Sequence, residues 1–326
     1  MKVLITGSTG FIGSQLTLKL ANLGHTVHAL YRSASKTAFI RHQNILLFKG
    51  DILDKDSLRK AMTGCSQIYH TAAFTEVWAK DESLITKLNV DGTLNVLDIA
   101  AELGISDIVF TSSAGVFGPS LNGCVTEKTV RQLDYFVEYE RTKAIAEDRA
   151  KGYAKRGLNI RIVNPTRTYG PGLLSTGNSV TILIDSYIRG NWRLNPGNGE
   201  SIGNYVFIDD VVNGHILAME KGNAGENYLL GGENVSYNEM FKLISEVSGK
   251  RRLLIKIPLP LMLGMVKFLI LLNKVVGIKP FITHGLVKKF NYNWQISSLK
   301  AERELGYSIT PLEEGIRRTI NWINKT

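Results

Sequence analysis

The chain of 326 residues is 44% hydrophobic and 21% charged, with a formal net charge of +10, which is the composition of an ordinary soluble globular protein of one or two domains. Its two cysteines and six histidines show no metal-ligand spacing, so we expect no bound metal. The most apolar stretch, residues 261–272, is too short to span a bilayer and no signal peptide is apparent, so we expect a cytoplasmic protein.

The first predicted element is a strand over residues 2–6, which runs directly into three glycines and a helix over residues 10–23. Gly7 can make the tight turn, Gly10 lets backbone amides approach a pyrophosphate, and Gly13 lets the helix pack against the sheet. The helix N-terminus offers unpaired N–H groups to an anion. The pattern therefore predicts a dinucleotide site at this loop. The residues expected to line it are Gly7, Thr9, Gly10, Phe11, Ile12 and Gly13.

Strands and helices alternate along the first half of the chain. Further strands are predicted over residues 26–31, 45–49, 67–70, 107–111 and 159–164, with helices over residues 55–62, 82–103 and 137–156. This alternation predicts an α/β fold with a Rossmann-type, doubly wound parallel sheet that binds ligands at the carboxyl ends of its strands. We expect a dinucleotide-binding Rossmann domain over residues 1–165 and a smaller C-terminal α/β substrate-binding portion over residues 166–326. Segments near residues 205–230 are expected to return to the Rossmann core.

The end of the second predicted strand carries no carboxylate. An acidic residue there would bind the ribose 2′-hydroxyl of NAD and repel a phosphate, whereas this chain has Arg32, followed by Ser33 and Lys36. The guanidinium of Arg32 can grip a 2′-phosphate and stack on an adenine. We therefore predict a preference for NADP(H), with NAD(H) as the alternative.

Tyr139 and Lys143 are four residues apart and share one face of the predicted helix after the fifth strand. A nearby ammonium favours the phenolate, so we expect Lys143 to lower the pKa of Tyr139 and to hold the ribose of a nicotinamide. Ser113 follows the fifth strand at its carboxyl end, where a hydroxyl can hydrogen-bond a substrate carbonyl. These three residues form the predicted catalytic group.

Several sequence blocks carry a family resemblance that covers essentially the whole chain. They are the glycine pattern, Tyr-x-x-x-Lys at 139–143, Ser-Ser-Ala-Gly at 112–115, His-Thr-Ala-Ala at 70–73, Asn-Val-Asp-Gly-Thr at 89–93, and the blocks at 167–172 and 205–211. The chain resembles an extended short-chain dehydrogenase/reductase of the NAD-dependent epimerase/dehydratase superfamily. Within it, the resemblance is to the branch of dihydroflavonol reductases and 3β-hydroxysteroid dehydrogenases.

The resemblance implies a role for each matching residue. Ser113 would bind the substrate carbonyl, Tyr139 would be the acid/base and Lys143 its partner. The implied cofactor contacts are Asp51 and Ile52 at the adenine, Ala72 and Ala73 on the diphosphate-ribose side, and Pro165 beside the nicotinamide. Asn89 stays open between a direct role and hydrogen bonding to the backbone.

Three functions are open at this point. The preferred one is an NADPH-dependent reductase of a carbonyl on a mainly apolar substrate, favoured by Arg32 and by the Ser-Ala-Gly sequence around Ser113. The second is a nucleotide-sugar epimerase or dehydratase with tightly bound NAD. Dehydratases of the family usually have Thr-Asp-Glu where this chain has Ser-Ala-Gly, and epimerases carry an acidic residue in place of Arg32. The third is a non-catalytic cofactor-binding protein, although such members often lack the tyrosine or the lysine.

The excess positive charge is concentrated in residues 247–301, which contain ten lysines and arginines and no Asp or Glu. The segment is interpreted either as helices whose lysine stems cover the core, or as a binding surface for an anionic substrate group or an anionic membrane. No nucleic-acid recognition motif accompanies the charge, so nucleic acid is not an expected partner.

The expected partner is a small-molecule carbonyl substrate in an apolar pocket. The candidate lining consists of the helix at 261–272 and of five aromatic residues, Phe74, Trp78, Phe117, Tyr135 and Phe136. Aromatic and leucine residues in such a pattern more often belong to the core. The resemblance also implies a homodimer, formed through the helices at 82–103 and 137–156.

Overall fold

The computed structural model describes residues 1–76, 78–79, 81–276 and 282–325. Its strands are β1 (Lys2–Thr6), β2 (Thr26–Tyr31), β3 (Ile45–Lys49), β4 (Gln67–His70), β5 (Asp107–Thr111), β6 (Asn159–Pro165), β7 (Arg167–Tyr169), β8 (Leu194–Pro196), β9 (Ile202–Phe207), β10 (Asn227–Leu230), β11 (Glu233–Ser236) and β12 (Ile255–Ile257). Its helices are α1 (Phe11–Asn22), α2 (Lys55–Met62), α3 (Ser83–Thr86), α4 (Gly92–Glu102), α5 (Glu138–Ala154), α6 (Ser179–Ile188), α7 (Ile208–Lys221), α8 (Tyr237–Ser248), α9 (Leu259–Val276), α10 (His284–Lys289), α11 (Leu299–Leu305) and α12 (Leu312–Ile323). Of the ten cations counted in residues 247–301, Lys279 and the side chain of Lys274 lie outside the described part of the chain.

The described residues form a seven-stranded parallel sheet in the order β10-β6-β5-β4-β1-β2-β3. Strand β1 lies between β2 and β4, with Val3 opposite Val27 on one side and Gln67 on the other. The strand order reverses at β1, so the carboxyl ends of β1 and β4 form the crevice in which such sheets bind ligands. The predicted fold, a doubly wound parallel sheet with a smaller C-terminal α/β portion, is confirmed.

Successive residues of the central strands pack into separate cores on the two faces of the sheet. Val3 and Ile5 of β1 lie in the core shared with α1, α7 and α12, while Leu4 lies in the core shared with α2, α4 and α5. All three side chains are fully buried. Because helices cover both faces, the central strands consist of apolar runs rather than alternating polar and apolar residues.

The C-terminal half contributes a second sheet, in which β9 pairs in parallel with β7 and antiparallel with β11. Strand β7 follows β6 after one residue, so this sheet begins at the carboxyl edge of the central sheet. Helix α7 and strand β10 return to the central sheet, where Asn227 pairs with Ile162. A shorter parallel pair joins β8 to β12. In the part of the chain that the structure describes, no helix is long and apolar enough to cross a membrane.

Candidate active site

The loop between β1 and α1 is closed by glycines that have no room for a larger residue. Gly7 has a φ of +70°, and a Cβ there would lie 2.6 Å from the backbone nitrogen of Ala72. A Cβ on Gly13 would lie 2.1 Å from the carbonyl oxygen of Gly7. Gly10 caps α1 without a side chain, so no cap hydrogen bond occupies the first N–H groups of the helix. The loop is a backbone cradle suited to a diphosphate.

The other residues expected to contact a dinucleotide lie at the same edge of the sheet. They are Asp51 and Ile52 after β3, Ala72 and Ala73 after β4, Pro165 at the end of β6, Thr9 before α1, and Phe11 and Ile12 at its start. Ile52 and Phe11 are buried in the core, so they support the site from behind. The structure therefore brings the whole predicted set to the carboxyl edge, around the glycine loop.

Arg32 lies just beyond the carboxyl end of β2 and is exposed. Its Nη1 is 3.7 Å from Oδ2 of Asp51, and the two side chains are 68% and 36% exposed. An ion pair so open to water contributes only about 0–1 kcal/mol, so the guanidinium can turn toward a ligand at little cost. The hydroxyls of Ser33 and Ser35 follow it in the chain and lie 2.8 Å from each other.

The hydroxyl of Ser113 interacts with the phenol of Tyr139 and acts to lower its pKa. Ser113 caps a short 3-10 turn directly after β5, and its Oγ accepts the N–H of Gly115 at 3.2 Å. Tyr139 lies in the first turn of α5, and both side chains line one cleft beside Pro165. The predicted carbonyl-binding hydroxyl and the predicted acid/base therefore meet at one wall.

Lys143 lies one turn beyond Tyr139 on α5 and is only 1% exposed. Its Nζ is 4.3 Å from the centroid of the Phe110 ring, which is a cation–π contact, and His70 stacks on the same ring. Burial lowers the pKa of Lys143 to about 7, although the Glu147 carboxylate acts in the opposite direction. Lys143 therefore exchanges its proton near neutral pH.

Burial also determines the pKa of Tyr139, which rises to about 12. The Ser113 hydroxyl opposes this rise and the charge of Glu140 adds to it. The sequence-based prediction that Lys143 lowers the pKa of Tyr139 is wrong for the protein alone. Desolvation of the phenol outweighs the charge of a lysine that is itself close to neutral. Near neutral pH, Tyr139 carries its proton and can donate it.

Asn89 lies in a π-helical segment, Lys87–Asp91, that joins α3 to α4. Its side chain accepts the N–H of Phe74 at 2.7 Å and donates to the carbonyl of Phe74 at 3.3 Å and to Oγ1 of Thr142 at 3.0 Å. Asn89 therefore ties the segment after β4 to the helix that carries Tyr139. Of the two interpretations left open by the sequence, the backbone-bonded one describes these contacts.

The sequence analysis missed two buried residues beside Ser113: Asn164, which holds the backbone of Ser113, and Glu147, which holds Asn164. Asn164, near the end of β6, donates to the carbonyl oxygen of Ser113 at 3.2 Å and to Oε2 of Glu147 at 3.0 Å. Oε1 of Glu147 accepts from Asn227 at 2.8 Å. Glu147 lies four residues after Lys143 on the same face of α5, and this spacing is the signal that could have identified it.

The cleft beside Ser113 and Tyr139 has a volume of about 680 Å³. Its apolar walls come from α6, α9 and the segments around β8 and α10, with lining residues that include Val180, Leu183, Trp192, Met262, Val266 and Leu286. Among the residues that the structure describes, the charged side chains in this lining are Arg167 and Lys289. The cleft therefore suits a large apolar molecule and contains positive charge but no negative charge.

The aromatic residues expected around the substrate have different positions. Trp78 and Phe136 line an adjoining cavity of about 490 Å³. Phe117 is buried in a small core cluster, Phe74 packs against the core shared with α2 and α5, and Tyr135 is 39% exposed. Of the predicted lining, helix α9 and two aromatic residues contribute to these cavities.

Cys65 is buried and Cys124 is exposed, and both are free thiols. Within the described ranges, no group of three or more His, Cys, Asp or Glu side chains could hold a metal ion.

Comparison with known proteins identifies relatives over the full chain. A family model described as NAD dependent epimerase/dehydratase family matches residues 3–231. Sterol demethylase protein B of Methylococcus capsulatus is 30% identical over 329 positions, covering 100% of this chain and 99% of its own. The 3beta-hydroxysteroid-dehydrogenase/decarboxylase isoform 2 of Arabidopsis thaliana is 28% identical, covering 86% of this chain and 52% of its own. Dihydroflavonol 4-reductase of Gerbera hybrida is 28% identical, covering 75% and 72%.

The solved structure of UDP-glucose 4-epimerase from Thermotoga maritima with UDP-glucose has the same fold, with a TM-score of 0.84 and 25% identity. The similarity covers 100% of this chain and 99% of that one. Together with the two relatives named as a hydroxysteroid dehydrogenase/decarboxylase and a dihydroflavonol reductase, this confirms the resemblance found in the sequence blocks. The chain belongs to the NAD dependent epimerase/dehydratase family and is an NAD(P)-dependent enzyme of the extended short-chain dehydrogenase/reductase type.

Proposed function

We propose that the protein is an NADPH-dependent reductase of a ketone or aldehyde on a mainly apolar small molecule. The observation that carries this proposal is that Ser113 and Tyr139 lie together at the wall of an apolar cleft of about 680 Å³. Two relatives are named as a reductase and as a hydroxysteroid dehydrogenase/decarboxylase, which supports carbonyl–alcohol chemistry on an apolar substrate.

Each residue of the site has a separate role in the proposed reaction. A reduced nicotinamide dinucleotide, with its diphosphate held at the glycine loop, would supply the hydride. The hydroxyls of Ser113 and Tyr139 fix the carbonyl oxygen by hydrogen bonds. Because the pKa of Tyr139 is about 12, its phenol is protonated near neutral pH and gives its proton to the oxygen as the carbonyl becomes an alcohol. Lys143, with a pKa of about 7, returns a proton to Tyr139.

NADP(H) is the proposed cofactor in preference to NAD(H). Arg32 is exposed at the end of β2 and pairs only loosely with Asp51. Lys36 is also exposed and lies four residues further along the chain. Two cations at this position, with no carboxylate on the strand end itself, suit a ribose 2′-phosphate.

Similarity to UDP-glucose 4-epimerase keeps a nucleotide-sugar epimerase as the alternative function. Two features oppose it. Apolar residues of α6 and α9 line much of the cleft, where a sugar would need hydrogen-bonding groups. Arg32 also stands where the resemblance leads us to expect an acidic residue in an epimerase. A non-catalytic role is opposed by the presence of Ser113, Tyr139 and Lys143 together.

The proposal is tested with purified protein, NADPH and a panel of apolar ketones and aldehydes, by following the loss of NADPH absorbance. Tyr139→Phe is expected to lower turnover by about 10²–10⁴-fold, because the proton donor is removed, with NADPH affinity nearly unchanged. Tyr135→Phe changes an exposed tyrosine four residues earlier and should turn over like the wild type. Equal turnover of Tyr139→Phe and the wild type would refute the role of Tyr139. Tightly bound NAD in the purified protein, with epimerisation of a UDP-sugar, would favour the alternative.

We also propose a cytoplasmic homodimer that makes peripheral contact with anionic membranes. Leu261 and Phe268 of α9 are 59% and 61% exposed, and the exposed cations Lys256 and Lys267 are close to them in the chain, a combination that suits an anionic lipid surface. Sedimentation with anionic vesicles, but not with neutral ones, would support the membrane contact, and equal sedimentation would refute it. A monomer mass measured by light scattering would refute the dimer.

A further inference from the structure

Arg167 in β7 lies at the wall of the apolar cleft and has no carboxylate partner among the described residues. Its Nη1 donates to the hydroxyls of Tyr205 at 3.0 Å and Tyr237 at 3.1 Å. Its Nε and Nη2 have no hydrogen-bond acceptor in the described part of the chain. The N–H groups on these two nitrogens are therefore left for a ligand.

Two other shielded arginines of this protein have acidic partners. Arg131, with a side chain 10% exposed, bonds Oε2 of Glu140 at 2.9 Å. Arg161, with a side chain 14% exposed, pairs with Asp107. A cation that is partly withdrawn from water without a counter-ion costs free energy. Arg167 differs from these two arginines in lacking that counter-ion, as a ligand-binding cation does in the absence of its ligand.

The second cation of the cleft, Lys289, is paired with a carboxylate that is therefore not available to Arg167. Nζ of Lys289 lies 2.6 Å from Oε1 of Glu140, whose other oxygen is bonded to Arg131. Two cations share this one carboxylate, so the cluster keeps a net positive charge. Glu76 and Glu82 line the adjoining cavity, where both are exposed.

We infer that Arg167 binds an oxyanion, a carboxylate or a phosphate, at one end of an amphipathic substrate whose apolar body lies against α6 and α9. A guanidinium holds such a group through paired N–H···O bonds, and the apolar walls strengthen the attraction by excluding water. Tyr139 and Pro165 line the same cleft as Arg167. Resting on the proposed reductase activity, the substrate class is then a ketone or aldehyde that also carries an acid group.

Amphiphiles that share one chain length but differ in head group separate the contribution of the acid group to binding from the contribution of the apolar body. Calorimetric titration of the NADP⁺-saturated protein with dodecanoate, dodecyl phosphate and dodecanol is expected to show tighter binding of the anions, and the tighter anion identifies the acid group. Arg167→Gln should weaken binding of the anions about tenfold to hundredfold, as expected for a hydrogen bond to a charged group, and leave dodecanol unchanged. Arg193→Gln removes an exposed arginine and should bind all three like the wild type.

Equal affinities of the wild type for the anions and dodecanol would overturn the inference, as would equal losses for all three in Arg167→Gln. Arg167 also holds Tyr205 and Tyr237, so a variant that keeps the charge is needed. Arg167→Lys is expected to retain part of the anion affinity. An Arg167→Lys protein with an unchanged melting temperature that binds anions no better than Arg167→Gln would contradict the assignment.

Turnover distinguishes failure of this inference from failure of the proposed function. With NADPH, the wild type should prefer 3-oxododecanoate to its methyl ester by about tenfold or more in kcat/KM, and Arg167→Gln should lose this preference through a raised KM. Turnover of both compounds without preference would refute the anion site and keep the reductase. No NADPH oxidation with any carbonyl, together with Arg167-dependent binding of dodecanoate, would refute the reductase and keep the anion site.

Discussion

Nζ of Lys289 lies 2.6 Å from Oε1 of Glu140, which ties helix α10 to helix α5 one residue after Tyr139. The other oxygen of Glu140 accepts from Arg131 at 2.9 Å and from the backbone N–H of Phe136 at 3.2 Å. Glu140 is 1% exposed, and burial lowers the pKa of Lys289 despite the opposing charge of Glu140. One buried carboxylate therefore joins three segments of the cleft wall beside the acid/base.

Glu140→Gln is expected to destabilise the fold by about 2–4 kcal/mol, because it leaves two shielded cations without their carboxylate. The loss is smaller than for a fully buried pair, since the side chain of Lys289 is 21% exposed. Glu138→Gln is the matched control: Glu138 pairs with Arg141, which is 42% exposed, and should cost about 1 kcal/mol or less. Urea unfolding of both variants measures the difference, and equal losses would contradict the role given to Glu140.

Asn164→Leu removes the side-chain donor that holds the carbonyl oxygen of Ser113 and one oxygen of Glu147. We expect kcat to fall about tenfold or more, with KM for NADPH nearly unchanged, because the hydroxyl of Ser113 loses its fixed position. The free energy of unfolding should fall by about 1–3 kcal/mol, since Glu147 loses a buried partner. Asn159→Ala, at the exposed start of the same strand, should retain wild-type turnover. A fully active Asn164→Leu would exclude Asn164 as a positioning residue.

The sequence predicted the central sheet well because its interior strands are locally recognisable. Strands β1 to β5 have the predicted bounds, and in β1 all residues after Lys2 are buried. A parallel strand covered on both faces is an apolar run that ends at glycines or polar residues. The catalytic residues are also locally recognisable, since Ser113 follows a buried strand and Lys143 lies one helical turn from Tyr139.

Apart from the catalytic residues and helix α9, the lining of the cleft could not be predicted, because residues far apart in the chain form it. Strands β7, β8 and β12 have three residues each, which is too short for a periodic pattern, and Arg167 pairs with Tyr205 across 38 positions. No spacing rule connects Arg167 with Tyr237 or Lys289. The pKa values of the catalytic residues also depend on desolvation, which follows from packing and not from the spacing of Tyr and Lys.

Lys143 predicts a pH-dependent stability of defined sign. Burial lowers its pKa from 10.5 to about 7, so between these values the unfolded chain binds a proton that the folded protein does not. The contribution of Lys143 to the free energy of unfolding therefore rises with pH in this range, by at most about 1.4 kcal/mol per pH unit. The pKa of Tyr139 is raised on folding, from 10.0 to about 12. Tyr139 therefore lowers the free energy of unfolding as the pH rises, but only above about pH 10.

Lys143→Met removes this titration and provides the test. The stability of the wild type relative to Lys143→Met should increase between about pH 7 and pH 9, as measured by urea unfolding at several pH values. Lys155→Met changes an exposed lysine at the end of the same helix and should follow the wild type at every pH. A difference that does not change with pH would show that Lys143 stays charged when the protein is folded.

Arg32→Asp is expected to shift the cofactor preference from NADPH toward NADH. The change removes a partner for the 2′-phosphate, adds a repelling charge beside Asp51, and provides an acceptor for the 2′-hydroxyl. The ratio of kcat/KM with NADPH to that with NADH should fall on the order of hundredfold. Arg149→Asp, an exposed charge reversal on α5, should leave the ratio unchanged. The same ratio in Arg32→Asp and the wild type would exclude a phosphate contact at Arg32.

Gly13→Ala tests the backbone cradle at the start of α1. Its Cβ would lie 2.1 Å from the carbonyl oxygen of Gly7, and neither backbone can move without displacing the loop. We expect a loss of about 3 kcal/mol in stability and a clear weakening of NADPH binding. Gly152→Ala is the matched control, because its Cβ meets nothing within 4 Å in α5, and it should gain about 0.5–1 kcal/mol. Urea unfolding and NADPH titration measure both effects, and wild-type NADPH affinity in a folded Gly13→Ala would show that the diphosphate binds elsewhere.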